Sequence, residues 1–209
     1  MEIKCLPLGD YQANCYVLID EDENKAAVID PGVPSDELNE LLSGYDLSYI
    51  LLTHGHFDHI YGSAVLKELY PESKLCIHTA DEVCLNSTEY NLAGDFEGYL
   101  PELTADVLLN DGDEIVISEN ITLKVVHTPG HSKGSVCFVD VKNNYMFSGD
   151  TLFCRTVGRT DFLGGSFDEM VESIRLLATF DDEMSVYPGH NRSTVIGIEK
   201  VKNRYMRKL

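Results

Sequence analysis

Three of the seven histidines in this chain fall within six consecutive positions, in the segment THGHFDH at 53–59. Imidazole and carboxylate groups suit zinc, iron and manganese, and Asp58 stands among these histidines. The two-residue spacing of His54 and His56 allows both side chains to bind one ion, whereas Asp58 and His59 could face a second. Because the segment follows an apolar run, a strand end can hold this ligand loop rigidly. The pattern predicts a metal site.

Three further candidate ligands occur in one recurring context, in which an apolar run is followed by a turn and then by the ligand. They are His131 in TPGH, Asp150 in SGD and His190 in YPGH. Strands of one sheet end along a common edge, so the loops that follow them can converge. The sequence therefore predicts one metal centre assembled from separate loops.

The elements that must position these loops are mostly short strands. Apolar segments of strand length are expected at 2–8, 14–20, 25–30, 48–53, 74–78, 121–127, 134–140, 144–148 and 184–188. The turn NDGD at 110–113 lies between DVLLN and EIVI and predicts a hairpin there. Many strands with a few helices between them favour two sheets packed together, with the helices outside.

Helices are indicated at fewer places. Helical spacing and start signals predict helices near 35–44 and 62–70. The capping box at 166–169 predicts a helix that runs to about Phe180. Ser193 or Thr194 is expected to cap a last helix that continues to the C-terminus.

Composition narrows the class of protein. Sixteen Lys and Arg against 35 Asp and Glu give a net charge of −19, which disfavours nucleic acid and anionic membranes as partners. No apolar run reaches the ~20 residues that span a bilayer, and the N-terminus lacks a signal-peptide pattern. The six cysteines form no CxxC pair and indicate reduced, mostly buried thiols, so we expect a cytoplasmic protein. Without a repeat or linker, residues 1–209 are expected to form a single domain.

At this point the sequence resembles the metallo-β-lactamase superfamily. The segments that carry the resemblance are Asp30 in VIDPG, HGHFDH at 54–59, His131, Asp150 and His190, which occur in this order. The resemblance spans about residues 14–192 and implies an α+β fold, the four-layer αββα sandwich with metals at one edge of both sheets. The implied ligand sets are His54, His56 and His131 for one ion, Asp58, His59 and His190 for a second, and Asp150 as a bridge.

Within the superfamily, GDTLF at 149–153 and GRTDF at 158–162 resemble small glyoxalase II-like hydrolases. This resemblance implies hydrolysis of a small acyl-thioester such as S-lactoylglutathione by a hydroxide that bridges two divalent ions. Zinc is the expected metal, and iron or manganese would also suit the ligands. Only 19 residues follow His190, so the separate C-terminal domain that binds glutathione in the classical enzymes is not expected.

Leaving-group chemistry also favours a thioester. A thiol of pKa near ~8.5 departs as a thiolate without a dedicated acid, whereas an alkoxide needs a proton donor. Asp58 and Asp150 are the expected catalytic residues, with Asp58 as a possible proton shuttle. Two alternatives remain: a lactonase or other ester hydrolase, and an iron persulfide dioxygenase, because GRTDF resembles those enzymes as well. The dioxygenases hold one Fe(II) through residues equivalent to His54, His131 and Asp150.

Further residues are expected to support the centre. Asp30 and His127 are candidates for orienting the ligands through hydrogen bonds. Arg155 and Arg159 follow Asp150 and could pair with a substrate carboxylate, or an ion pair among Arg155, Arg159 and Asp161 could instead hold the loop. The connection at 86–106 is long and contains three aromatic residues that could line the substrate cleft, Tyr90, Phe96 and Tyr99.

Overall fold

The computed structural model describes residues 1–95 and 102–208, and two six-stranded sheets form its centre. The strands of the first sheet are β1 (Glu2–Leu8), β2 (Ala13–Asp20), β3 (Lys25–Ile29), β4 (Asp46–Leu51), β5 (Lys74–His78) and β6 (Val107–Leu109). They lie side by side in chain order. The first three strands are antiparallel, and β3 through β6 are parallel.

The second sheet is assembled from the rest of the chain in the order β14-β13-β10-β9-β8-β7. Its strands are β7 (Glu114–Val116), β8 (Thr122–His127), β9 (Val136–Asp140), β10 (Tyr145–Gly149), β13 (Ser185–Pro188) and β14 (Thr194–Val195). In this sheet, β10 and β13 pair in parallel, while the other described neighbours are antiparallel. A small ribbon of β11 (Leu152–Phe153) and β12 (Thr156–Val157) follows β10.

The α-helices are α1 (Asp36–Leu42), α2 (Phe57–Ile60), α3 (Ser63–Leu69), α4 (Phe167–Leu177) and α5 (Ile196–Lys202). Short 3₁₀ segments occupy Thr79–Asn86, Ala93–Asp95 and Met206–Lys208. Helix α4 begins as its capping box predicts, because the Ser166 hydroxyl oxygen accepts a hydrogen bond from the Glu169 N–H at 3.3 Å. In the described ranges no helix combines the length and hydropathy that crossing a membrane requires.

Burial on both faces of the sheets defines the layers. All eight residues of β2 are buried, because successive side chains point to opposite faces and both faces are covered. Val17 packs in the cluster that includes Leu38 and Leu42 of α1, whereas Leu18 packs in the cluster that includes Phe138 of the second sheet. The outer face of the second sheet packs in the same way against α4 and α5. The expected αββα sandwich is confirmed.

The cysteines follow the sequence prediction. All six are free; Cys15, Cys76, Cys84 and Cys137 are buried, Cys154 is half-buried and Cys5 is exposed. Burial raises the pKa of the Cys137 thiol to about 12, so this side chain acts as a small apolar group in the core.

The predicted hairpin at 110–113 is wrong. The strand before this turn, β6, pairs in parallel with β5 in the first sheet, while the strand after it, β7, pairs with β8 in the second. Side chains of the turn stabilise the reversal locally: the Asp113 carboxylate accepts from the Asn110 N–H at 2.8 Å. Such a turn reverses the chain equally well between two sheets, because its residues do not specify which strands pair.

The predicted cap of the last helix is also wrong. Thr194 lies in β14, and its hydroxyl donates to the buried Glu199 carboxylate at 2.7 Å. Helix α5 begins after Val195 without a side-chain cap and ends at Lys202. Thr194 and Val195 form the edge strand β14 and do not start the helix, since pairing with β13 satisfies their backbone groups.

Phe147 in β10 is fully buried between the sheets and provides a test of the sandwich core. We expect Phe147→Ala to lower the free energy of unfolding by about 3–5 kcal/mol, because it removes transfer free energy and leaves a cavity. Urea denaturation with a chelator present measures this change. Val141→Ala is the control: the side chain is 66% exposed and should change the same quantity by less than about 0.5 kcal/mol. Equal effects of both substitutions would contradict the assignment of the core.

Candidate metal centre

The predicted ligands meet at one edge of the two sheets. His54 and His56 follow β4, Asp58 and His59 lie in α2, and the other ligands follow strands of the second sheet. Those strands are β8 for His131, β10 for Asp150 and β13 for His190. The start of β2 closes this edge, because Ala13 forms a bridge with His190. The fold therefore brings all seven predicted ligands together.

One group consists of three buried histidines, His54, His56 and His131. One nitrogen of each lies within 4.8 Å of the others. The ring centroids are 4.5 Å apart for His56 and His131 and 4.9 Å apart for His54 and His131. Three imidazoles at such distances can coordinate one ion between them.

A second group consists of Asp58, His59 and His190, again with one ligand atom of each within 4.8 Å of the others. The Nε2 atom of His190 lies 3.3 Å from Asp58 Oδ2 and 3.2 Å from His59 Nε2. Asp150 lies between the two groups: its carboxylate oxygens are 3.5 Å from His131 Nε2 and 3.6 Å from His59 Nε2. The geometry suits a carboxylate that serves both groups.

Unpaired buried atoms support a metal at this place. Within residues 1–95 and 102–208, the Nε2 atoms of His54 and His131 and the Oδ1 atom of Asp150 are buried without a hydrogen-bond partner. A buried polar atom without a partner costs about 1–3 kcal/mol. These atoms are all good donors to a divalent cation, which would satisfy all three. The residues present therefore fit one or more divalent ions.

A hydrogen-bonded chain orients two of the histidines from behind. The Asp30 carboxylate accepts from the Thr53 hydroxyl at 2.6 Å and from His59 Nδ1 at 3.1 Å. Because that hydroxyl donates to Asp30, its oxygen is left to accept from His54 Nδ1, 3.1 Å away. Both rings thereby carry their proton on Nδ1 and direct Nε2 into the centre. Asp30 adopts a φ of +52°, a strained conformation that these bonds stabilise.

His131 is oriented by a loop that approaches from the other side. Its Nδ1 donates to the Arg159 carbonyl at 2.8 Å, which leaves Nε2 for a ligand. The next residues of this loop cover the histidines: the Phe162 ring centroid lies 5.6 Å from that of His56 and 6.0 Å from that of His131. Phe162 therefore forms an apolar wall of the centre.

Gly189 shows how closely the backbone approaches the ligands. A Cβ atom at this position would lie 2.2 Å from Asp150 Oδ1 and 2.8 Å from His59 Cε1. Any side chain here would displace two ligands, so the glycine of the YPGH turn is required by the packing of the centre.

Electrostatics divide the histidines into two kinds. Burial, reinforced by neighbouring imidazoles, lowers the pKa values of His54 and His56, which favours the neutral rings that bind metals. Burial would also lower the pKa of His59, but the carboxylates of Asp58 and Asp150 outweigh it and raise this pKa. Burial would raise the pKa of Asp58, but the neighbouring His59 and His190 outweigh it and lower this pKa. A cation bound here would compete with a second proton for Nε2 of His59, since the Nδ1 proton is donated to Asp30.

The other predicted supporting residue, His127, has a different hydrogen-bond partner from Asp30. His127 donates from Nε2 to the Lys133 carbonyl at 2.8 Å and stacks on His78, with centroids 4.1 Å apart. Its contact is with the turn that carries His131, whereas Asp30 contacts a ligand ring directly. Sequence reasoning missed Thr53, although a hydroxyl residue beside the first histidine was a usable signal.

The two predicted substrate arginines also differ. Arg159 forms a two-pronged ion pair with Asp161, with both distances 2.9 Å, and its guanidinium lies 4.2 Å from the Phe162 ring centroid. This is the loop-holding ion pair that the sequence left open. Arg155 is exposed, and its backbone N–H donates to Glu199 at 2.8 Å. Of the three expected cleft aromatics, Phe96 and Tyr99 lie outside the described residues, and Tyr90 lines a pocket together with residues of the 3₁₀ segment Thr79–Asn86.

Comparison with known sequences agrees with this geometry. The profile of the metallo-β-lactamase superfamily matches residues 8–190. Hydroxyacylglutathione hydrolase GloC of Haemophilus influenzae is 31% identical over 214 residues, which cover 99% of this chain and 98% of that protein. The probable metallo-hydrolase YqgX of Bacillus subtilis is 32% identical over 212 residues, with 99% and 98% covered.

Solved structures show the same fold. The B3 metallo-β-lactamase BLEG-1 superposes with a TM-score of 0.89 at 33% identity. The aligned region covers 98% of this chain and 99% of BLEG-1. A di-iron-bound form of TTHA1623 gives 0.86 at 31% identity, with 97% and 99% covered. ETHE1 from Myxococcus xanthus gives 0.80 at 28% identity, with 98% and 84% covered. With the profile match and these relatives, the chain belongs to the metallo-β-lactamase superfamily.

Proposed function

We propose that this protein is a dinuclear metallohydrolase that cleaves small acyl-thioesters such as S-lactoylglutathione. The observation that carries the proposal is the convergence of seven ligand side chains into two groups that share Asp150. GloC, a hydroxyacylglutathione hydrolase, aligns over nearly the whole chain and supports this substrate class.

We assign one ion to each of the two ligand groups. His54, His56 and His131 would hold the first, and Asp58, His59 and His190 the second, with Asp150 contributing to both. When bound, a pair of divalent ions lowers the pKa of a water molecule toward ~7 and polarises the carbonyl that is attacked. Zinc is the proposed metal, and iron or manganese would suit the same ligands.

The residues of the chain contribute orientation and proton transfer. The bonds from Asp30, Thr53 and the Arg159 carbonyl hold three imidazoles in one tautomer, so no ring must reorient during the reaction. Asp58 is the carboxylate proposed to move a proton, and its greater exposure, 17% against 10% for Asp150, supports this choice. The thiolate product needs no proton from the protein, which suits a centre built from imidazoles and carboxylates.

The loop after β12 supplies the proposed substrate contacts. Phe162 offers an apolar surface beside His56 and His131. Arg159 lies over this ring, and its ion pair with Asp161 is exposed. Exposed ion pairs contribute about 0–1 kcal/mol, so a substrate carboxylate can replace Asp161 at little cost. Arg155, an exposed residue in the turn between β11 and β12, is the second proposed cation.

A persulfide dioxygenase is the second candidate, and a specific observation favours it. Three of the unpaired buried atoms belong to His54, His131 and Asp150, and two histidines with one carboxylate are the ligand set of non-haem Fe(II) oxygenases. ETHE1 from Myxococcus xanthus has the same fold. The second ligand group does not decide between the two functions, because the residues equivalent to Asp58, His59 and His190 can be present in either, so the number of ions per chain is the property that distinguishes them.

The purified full-length protein distinguishes these functions. We expect two divalent ions per chain by elemental analysis and rapid release of free thiol from S-lactoylglutathione within a panel of acyl-thioesters. One iron per chain with oxygen consumption on glutathione persulfide would establish the dioxygenase instead. Turnover of a lactone, another oxygen ester or a β-lactam, but of no thioester, would reject the proposed substrate class and retain the hydrolase.

Asp150→Asn tests the shared ligand. We expect bound metal to fall from two ions to one or fewer per chain and kcat/KM to fall by on the order of 100-fold or more, because an amide is a poor bridging ligand. Asp140→Asn is the matched control. Asp140 is also buried, at 1% exposed against 9% for Asp150, but it ends β9 at the edge opposite the centre. If Asp150→Asn retained two ions and full activity, the dinuclear assignment would be rejected.

Arg159→Ala tests recognition of a substrate carboxylate. We expect KM for an anionic thioester to rise roughly tenfold, equivalent to about 1.4 kcal/mol, with kcat nearly unchanged. A thioester without a carboxylate should show no such rise. Arg175→Ala removes another exposed arginine, one that pairs with Glu172 on α4, and should leave KM unchanged. The same rise for the neutral substrate would mean that Arg159 acts only by holding its loop.

A further inference from the structure

A buried carboxylate outside the ligand set connects the two loops that carry the first group of histidines. Asp81 lies in the 3₁₀ segment Thr79–Asn86 and is 2% exposed. Its carboxylate accepts hydrogen bonds from the Gly134 N–H at 2.6 Å, the Ser132 hydroxyl at 2.6 Å and the Gly55 N–H at 3.1 Å. In the described part of the chain no ion pair involves Asp81, so these three donors compensate its burial.

The three donors are placed beside the histidines in sequence. Gly55 separates His54 from His56, and Ser132 directly follows His131. One carboxylate therefore holds the backbones of two loops that are more than 70 residues apart in the chain. Because the loop backbones determine where the imidazoles point, the Asp81 carboxylate influences the spacing within the first group.

Packing leaves no room for these loops to adjust. A Cβ atom on Gly134 would lie 2.6 Å from the Asp81 backbone nitrogen and 2.7 Å from its side chain. On the other side, a Cβ atom on Gly55 would lie 2.2 Å from the Cβ of Cys84, in the same 3₁₀ segment. The segment is thus wedged between the two ligand loops, and a change at Asp81 must be transmitted to both.

The second group has a different support. His59 is held by Asp30, and His190 follows β13, whose turn is held by Asn14 through hydrogen bonds to Pro188 and Asn191. Asp81 has no hydrogen bond to any residue of that group among the described contacts. Its influence should therefore be confined to one of the two ion sites.

We propose that Asp81 is a positioning residue that sets the affinity of the ion held by His54, His56 and His131 and leaves the other ion site unaffected. This inference rests on the dinuclear centre of the proposed function. Asparagine at this position keeps the shape but not the chemistry. Whichever way the amide turns, its NH₂ group faces the N–H of Gly55 or of Gly134, so one backbone donor loses its acceptor.

The test measures zinc affinity of the full-length protein by competition with a chromophoric chelator. Asp58→Ala isolates the first site and His56→Ala isolates the second. In the Asp58→Ala background we expect Asp81→Asn to weaken zinc binding about 10-fold or more, a typical effect of losing support behind metal ligands. In the His56→Ala background the change should stay within about twofold.

Asp20→Asn is the matched control for general destabilisation. Asp20 is also fully buried and accepts from Ser118 and Asn120, but it ends β2 far from the centre. It should leave zinc affinity at both sites unchanged. If Asp81→Asn does not fold, Ser132→Ala removes one donor and should weaken the first site in the same direction by a smaller factor.

The outcomes separate this inference from the proposed function. Unchanged zinc affinity of Asp81→Asn at the first site, or equal weakening at both sites, would overturn the positioning role while leaving the dinuclear centre intact. Equal weakening by Asp20→Asn would overturn it as well. If the unmutated protein bound no zinc, iron or manganese, the proposed function itself would fail.

Discussion

Several candidate ligands lie close together and buried, with polar atoms that have no hydrogen-bond partner. The rest of this structure depends on this constraint. Nε2 of His54 and of His131 and Oδ1 of Asp150 are buried together without partners. Each such atom carries a cost of about 1–3 kcal/mol in the absence of a cation. The sandwich core must be stable enough to hold this arrangement, and an ion that binds there adds to folding stability.

The sheets meet this constraint through their strand ends. Strands β4 and β10 end in buried residues at the centre, so the ligands follow them after very few residues. The hydrogen bonds behind the rings then remove the remaining freedom. Asp30 is held in a left-handed conformation and satisfies both Thr53 and His59. The buried core and the strained backbone of Asp30 therefore act together to fix the positions of the candidate ligands.

Different kinds of signal explain what the sequence could and could not predict. The convergence of the candidate ligands was predictable because residues 53–59 concentrate metal-binding groups after an apolar strand, a pattern of side-chain chemistry. The pairing of the strands on either side of the turn at 110–113 was not predictable, because turn residues specify a reversal of the chain and not which strands pair. Asp81 gave no signal either: in TADEV it reads as an ordinary acidic residue at a helix start. Its three donors come from distant segments that only the folded chain brings together.

Substrate choice must depend on residues other than the ligands. A B3 β-lactamase, a di-iron protein and ETHE1 all superpose on this chain with TM-scores of 0.80 or more, so the scaffold is compatible with several chemistries. What differs between such sites is the surface offered to the substrate. In the proposed function that surface includes Phe162 and Arg159, and the same loop also orients His131 through its Arg159 carbonyl. A substitution that alters substrate recognition in this loop can therefore also disturb a metal ligand, which couples specificity to the chemistry of the centre.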